Sequence, residues 1–289
     1  MRSRPACADK ASGWAHEEDK LSDHVVLETR GDVAVVLMDR PDSLNALFPE
    51  MLDQIIAAFE DAGRDDAIGA VVLGARGRAF SAGGDMEFLT GLADMEPFEI
   101  MSTVYRSFGG AARAIKLCPK PVVGAVQGPA VGAGCELAVA CDIRLASEKA
   151  VFSEAWIHHA SIPPLGGMFL LPRIVGLGRA TEMIFTGRHV SAPEAERIGL
   201  VTRIVAHEDL LDEAVGLAQQ LADGPRTALR IAKEGLLRGT ESSLAREWDY
   251  AVYPQSMLLH APGFFEGLTA FKEKRRPRFN QQAPEPGRR

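Results

Sequence analysis

The sequence is short of the features that would tie a chain to nucleic acid, to a membrane or to disulfides. Lysine and arginine number 32 against 39 aspartates and glutamates, a net charge of −7. Without a basic excess to neutralise phosphates, a general nucleic-acid partner is not expected. A local basic patch for a phosphorylated ligand stays compatible with that balance. No run of about 18 apolar residues occurs, so no membrane span is expected. The four cysteines, Cys7, Cys118, Cys135 and Cys141, form no CxxC pair and have no histidine at metal spacing. Neither a disulfide framework nor a metal site is therefore expected. Three of them lie in apolar surroundings and read as free, buried thiols of a reducing compartment. The N-terminal arginines are not followed by an apolar stretch, which predicts no signal peptide and a cytoplasmic protein.

What is present is ordinary globular material: 289 residues, 46% apolar and 25% charged, enough for one large domain or a domain with a helical extension. Residues 1–23 show no periodicity and are predicted to be disordered. His24–Thr29 and Val33–Asp39 read as a hairpin around Arg30-Gly31-Asp32. Leu52, Ile55, Ile56 and Phe59 then recur at helical spacing behind Pro49. Ala70–Leu73 is a short apolar strand, followed by the glycine-rich loop GARGRAFSAGGD ending at Asp85. Residues 86–97 have no clear period and read as a segment able to move over a site, and Phe98–Leu117 returns to helical periodicity. Strand, glycine loop and helix recur over 70–90, 121–141 and, more loosely, 142–175, which predicts mostly parallel strands with crossovers. From Leu177 onward the pattern reads as helical throughout. The expected division is a core over 24–200, a helical region over 201–279 and a polar tail over 280–289.

The stretch Gly124–Cys141, GAVQGPAVGAGCELAVAC, organises the rest. A buried strand runs into a PxxGxGC turn, and a small, apolar helix follows. Gly128, Gly132 and Gly134 permit backbone conformations closed to other residues and a close approach by a ligand. A helix opening there directs unpaired N–H groups and the positive end of its dipole at whatever binds, a setting suited to a developing oxyanion. Glu136 stands in its first turn. The same residues also fit a plain glycine turn with a helix-start glutamate. Ser81 lacks the G-x-S-x-G surroundings of a nucleophile elbow, so a hydrolytic serine is not indicated.

With AFSAGGDM (79–86), KPVVGAVQGPAVGAGCELAVACDIRLAS (120–147), IPPLGG (162–167), TGRHVSAPEAERIGLV (186–201) and EGLTAFKEKRRPRF (266–279) in one order, the chain resembles the crotonase superfamily, the enoyl-CoA hydratase/isomerase family. The resemblance implies an α/β fold, a spiral of ββα turns with a C-terminal helical trimerisation region. It also implies a homotrimer or dimer of trimers acting on a coenzyme A thioester, with no cofactor beyond the coenzyme A carried by the substrate. The oxyanion-hole donors it implies are the N–H groups of Gly84 and Ala133. Ala79, Ser81, Ala82 and Gly83 would line the adenine pocket, Asp85 and Gly132 would belong to the substrate site, and Lys274 would reach phosphates.

One position departs from the pattern. Hydratases of the family hold and activate water between two glutamates. The first falls at Glu136, but the second falls at Trp156 in FSEAWIHHASIPPLGG. An indole offers one N–H donor and no base, which makes ordinary hydration doubtful. His158 falls where related dienoyl-CoA isomerases carry an aspartate, and a histidine suits proton transfer near neutrality. His159, its neighbour, should point elsewhere. Glu154 falls at a non-catalytic position and is expected to be structural or on the rim. The expected catalytic set is thus Glu136, His158 and Trp156. The expected activity is proton transfer through a thioester enolate, isomerase-like rather than two-glutamate hydration. Hydration by Glu136 with a histidine, decarboxylation, thioester hydrolysis and mere acyl-CoA binding remain open.

Overall fold

The computed structural model describes residues 24–280. The predicted disordered segment 1–23 and all but the first residue of the polar tail lie outside the described residues. β1 (Val25–Arg30) and β2 (Val33–Met38) form the expected antiparallel hairpin. α1 (Pro49–Arg64) follows, with Pro49 at its start and Leu52, Ile55 and Phe59 on its buried face. β3 (Ala70–Ala75) then pairs parallel with β2. The first glycine loop leads into α2 (Met86–Gly91), and α3 (Pro97–Thr103) joins α4 (Gly109–Leu117) through a wider π-turn. The organising stretch becomes β4 (Val122–Val126), the short β5 (Pro129–Val131) and α5 (Ala133–Ala140). β6 (Ile143–Ser147) and β7 (Val151–Ser153) repeat that step.

Each rung supplies one strand to a large sheet and one short strand to a small one. β3, β4 and β6 lie side by side in the large sheet, and Ser81, β5 and β7 are neighbours in the small one. Both faces of the large sheet are covered, so its strands β2, β3 and β4 are apolar at every position rather than at alternate ones. In β2, Ala34, Val36 and Met38 face one core with α1, α4 and α5. Val33, Val35 and Leu37 face a second core.

The remainder comprises α6 (Gly167–Val175), α7 (Leu177–Thr186), β8 (Val190–Ser191), α8 (Ala192–Arg197), β9 (Arg203–Val205), α9 (Leu210–Ala222), α10 (Arg226–Gly239), α11 (Leu244–Leu258) and α12 (Pro262–Glu273). The reading of everything past Leu177 as helical is corrected by β8 and β9. They extend the small and large sheets respectively, and at two and three residues they are too short to show a strand period. α9 belongs to the core as well: Leu210, Ala214, Ala218 and Ala222 close the second face of the large sheet. The helices that stand off the core are α10, α11 and α12. α11 buries none of its residues, and Leu244, Trp248, Val252, Tyr253 and Met257 are all exposed on it. Among the described residues no helix is long and apolar enough to cross a membrane.

Candidate functional site

Two glycine loops meet at the start of α5. In the first, Ser81 is drawn into the small sheet: its N–H donates to Pro129 O and its C=O accepts from the Val131 N–H, each at 3.0 Å. The buried Ser81 hydroxyl accepts the Gly83 N–H at 3.2 Å. Gly83 has a φ of +99°, and a Cβ there would lie 2.9 Å from Val131 O and 3.9 Å from Ala133 N. Only glycine fits, and its fit brings the first loop against the second. Gly134 is as tightly placed, since a Cβ on it would stand 2.6 Å from Ser81 Cβ.

Gly84 forms a parallel bridge with Leu47. The bonds of that bridge run from the Leu47 N–H to Gly83 O and from the Asp85 N–H to Leu47 O. The Gly84 N–H takes no part in it. Ala133 is the first residue of α5, where a backbone N–H has no partner within the helix. Its N-cap, Gly132, has a φ of +51° and supplies no side-chain cap. Among the described residues, neither predicted donor, the Gly84 or the Ala133 N–H, is taken up by the local backbone bonding.

The other sequence candidates have varied placements. Ala79 is buried, and its carbonyl accepts from Asn45 Nδ2 and Gln127 Nε2 at 2.9 and 2.8 Å. Ala82 is exposed, with its N–H on Leu44 O. The Asp85 carboxylate caps α2, accepting the Glu87 and Phe88 N–H groups at 2.9 and 3.3 Å, and pairs with Arg40 at 2.6 Å. Arg40 holds the carboxyl below its usual range. A cleft of about 480 Å³ opens beside this loop, bordered by Arg40, Phe48, Asp85, Phe88 and Arg106. Lys274 is exposed just past α12, in a left-handed conformation. It has no side-chain hydrogen bond or ion pair among the described residues.

Glu136 is 1% exposed, inside the first turn of α5. Its Oε1 accepts the Leu165 and Gly167 N–H groups at 3.0 and 2.6 Å. These donors end the IPPLGG segment, and a Cβ at Gly167 would come within 2.7 Å of that same oxygen. The motif therefore has a physical task, which is to close on the carboxyl of Glu136. The sequence alone carries no sign of that task, because nothing local ties positions 29 and 31 residues apart. Glu136 Oε2 has no hydrogen-bond partner among the described residues. Burial, then the charge of Glu154, push the Glu136 carboxyl well above its ordinary range, against the opposing pull of the two N–H bonds.

Trp156 is half-buried, with its indole against Gly132: a Cβ on that glycine would lie 3.7 Å from Cε2. The predicted helper His158 is exposed, and its Nε2 lies 3.3 Å from the carbonyl of Gly187, the residue that closes α7. No hydrogen bond joins it to Glu136 among the described residues. His159 is also exposed. Glu154, expected on the rim or in a structural role, is 0% exposed, and among the described residues neither of its carboxyl oxygens is met by a donor in good hydrogen-bond geometry. Burial lifts its carboxyl to about 7, while the nearby Cys135 thiol and Trp156 indole N–H pull the other way.

With this geometry in place, comparison with known proteins gives a consistent answer. The model of the enoyl-CoA hydratase/isomerase family matches residues 28–282. A probable enoyl-CoA hydratase of Rhizobium meliloti is 36% identical over 258 residues, covering 89% of this chain and 98% of the relative. The crotonyl-CoA hydratase of Syntrophomonas wolfei is 33% identical at the same coverage of both chains. The crystal structure of an enoyl-CoA hydratase from Bacillus anthracis superimposes with a TM-score of 0.83 at 31% identity, covering 88% of this chain and 98% of that one. The α/β spiral expected from the sequence is the fold that such structures share with it.

Proposed function

Since the chain belongs to the enoyl-CoA hydratase/isomerase family, we propose that it moves a proton on an acyl-CoA thioester through an enolate. The Gly84 and Ala133 N–H groups hold the thioester oxygen as charge develops on it. Glu136 transfers the proton at C2 or C4. The single observation that carries this reading is the setting of Glu136: a buried carboxyl with one oxygen fixed by two N–H donors and the other unpartnered, one turn inside the helix that begins with Ala133. Isomerisation needs one well-placed shuttle. Hydration needs a base for water and an acid for C2, and Trp156 cannot be the base. The cleft beside Asp85 gives room for part of the ligand. The free, buried Cys118, Cys135 and Cys141 are in keeping with a cytoplasmic enzyme.

The second reading is hydration, favoured by the name of the Syntrophomonas wolfei relative, a crotonyl-CoA hydratase. One experiment addresses both. Proton NMR with a panel of enoyl- and acyl-CoAs in D₂O is expected to show solvent deuterium entering at C2 or C4. Glu136→Gln should slow it by on the order of 10²–10⁴ with thioester affinity retained. Hydration of crotonyl-CoA with kcat/KM of about 10⁶ M⁻¹s⁻¹ or more would overturn the isomerase reading in favour of the second. Binding without exchange or hydration would leave a non-catalytic acyl-CoA binder.

We also propose that the exposed apolar faces of α11 and α12, which include Trp248, Met257, Phe265 and Phe271, are covered by further copies of the chain. Faces of this extent are rare on a lone soluble chain. Sedimentation of the full chain should give a trimer or a dimer of trimers, and a stable monomer would refute it.

A further inference from the structure

Buried polar atoms without a well-formed hydrogen bond are rare in folded proteins, and among the described residues this site gathers four: Glu136 Oε2, both carboxyl oxygens of Glu154, and Trp156 Nε1. The backbone explains why they meet. Glu154 follows Ser153, the last residue of β7, whose carbonyl receives the N–H of Gly132 at 2.8 Å. Gly132 is the N-cap of α5, and Glu136 stands in that helix's first turn. The β5–β7 pairing therefore carries the carboxyl of Glu154 to the end of α5 where Glu136 sits, and both side chains are buried there.

Two ionised carboxylates in such a place are disfavoured twice, by lost hydration and by mutual repulsion. The groups acting on them can be named from each packed element. From α5 come Glu136 itself and the Cys135 thiol, which burial keeps protonated. From the turn after β7 comes the Trp156 indole N–H. From the segment before α6 come the Leu165 and Gly167 N–H groups, and these go to Glu136 alone. Among the described residues, no cation is one of the groups acting on either carboxyl.

We propose that Glu154 is a positioning residue for Glu136: the two carboxyl groups form one buried unit that holds a single proton between them, with the Trp156 indole N–H facing Glu154. The chain thereby recovers a second carboxyl group without a glutamate at position 156. This deepens the proton-transfer reading of Glu136 and rests on it. In the reaction the ionised Glu136 takes a proton from a substrate carbon, and the electron pair of that C–H bond passes into the thioester enolate. The unit then holds two protons. Returning one to the other carbon of the allyl system restores it, so protons and electrons balance without a further reactant.

The test is a pH titration of the glutamate carboxyl carbons by ¹³C NMR on the full chain, beside the pH profile of C2 exchange. In the unsubstituted protein both carboxyl resonances should move in each of two linked steps. Two independent single-step titrations would overturn the unit, and that measurement needs no variant. Glu154→Gln removes the neighbouring charge, so Glu136 should titrate lower by on the order of one pH unit or more. Exchange requires ionised Glu136, so the acid limb of its profile should move down by the same amount. Glu154→Asp, which keeps a carboxyl, should restore much of the original position. A Glu136 titration unmoved in folded Glu154→Gln would refute the proposal. Because the NMR titration uses no substrate, failure of the unit is read there, and failure of the proton-transfer reading is read from absent exchange.

Discussion

The two glycine loops are built alike and finish differently. Each passes through a glycine with positive φ, Gly83 at +99° and Gly132 at +51°, and each runs into a helix. At α2 the first-turn N–H groups are taken up at once by the carboxylate of Asp85, and no residue of the helix is buried. At α5 no side chain caps the helix, and all eight residues from Ala133 to Ala140 are buried. An uncapped helix start ordinarily costs stability. Here the cost is carried by a helix fixed on every side by the core, and it leaves the first N–H groups of α5 without a side-chain cap. The difference teaches that the glycines only shape the approach. Whether a loop's donors serve the chain or a substrate is decided by the side chain at the cap.

The change expected to act most strongly on this contrast is Ala133→Pro, which removes the donor at α5 and leaves α2 alone. Proline is tolerated at the first position of a helix, so α5 should survive. Turnover on any thioester that the protein processes should fall by on the order of 10²–10³, the usual effect of losing one oxyanion donor. Proline also restricts the residue before it, and Gly132 has an unusual conformation, so the thermal midpoint and thioester affinity must be measured on the same variant. A folded Ala133→Pro protein with unchanged turnover would refute the assignment of this N–H.

Much of this contrast was legible in the sequence, and what was not has a physical reason. The strand–turn–helix of 122–140 could be read because its signals are local: apolar run, glycines, then small helix formers. Glu136 came with it, as a position on that helix. The company Glu136 keeps could not be read. Leu165 and Gly167 bond to it through a loop closure, and the β5–β7 pairing brings the charge of Glu154 to bear on it, arrangements of distant segments that no spacing records. His158 illustrates the same limit from the other side. Its position in the chain suggested a pocket residue, but a ring orientation is set by tertiary neighbours, and its bond goes to Gly187. Asp85 does carry a local signal, because an aspartate directly before a helix is a cap before it is anything else.

That cap gives the smallest expected effect and the sharper end of the comparison. Asp85→Asn keeps an acceptor for the Glu87 and Phe88 N–H groups, since asparagine caps as well as aspartate, but it loses the ion pair with Arg40. The pair is mostly shielded from solvent rather than fully buried, so the loss should be about 1 kcal/mol at neutral pH. Asp85→Ala, which also loses the cap, should cost about 1 kcal/mol more. The pH dependence has a definite sign. Arg40 holds the Asp85 carboxyl below its usual range, so the stabilisation is present above the unfolded value of about 3.9 and fades as pH falls through the folded one. Urea midpoints of the unsubstituted protein and Asp85→Asn should therefore differ at pH 7 and draw together as the solution is made more acidic than about pH 4. If Asp85 serves α2, thioester affinity should change less in Asp85→Asn than turnover does in Ala133→Pro. A loss of affinity in Asp85→Asn with its stability intact would place the carboxylate on the ligand and erase the distinction between the two loops.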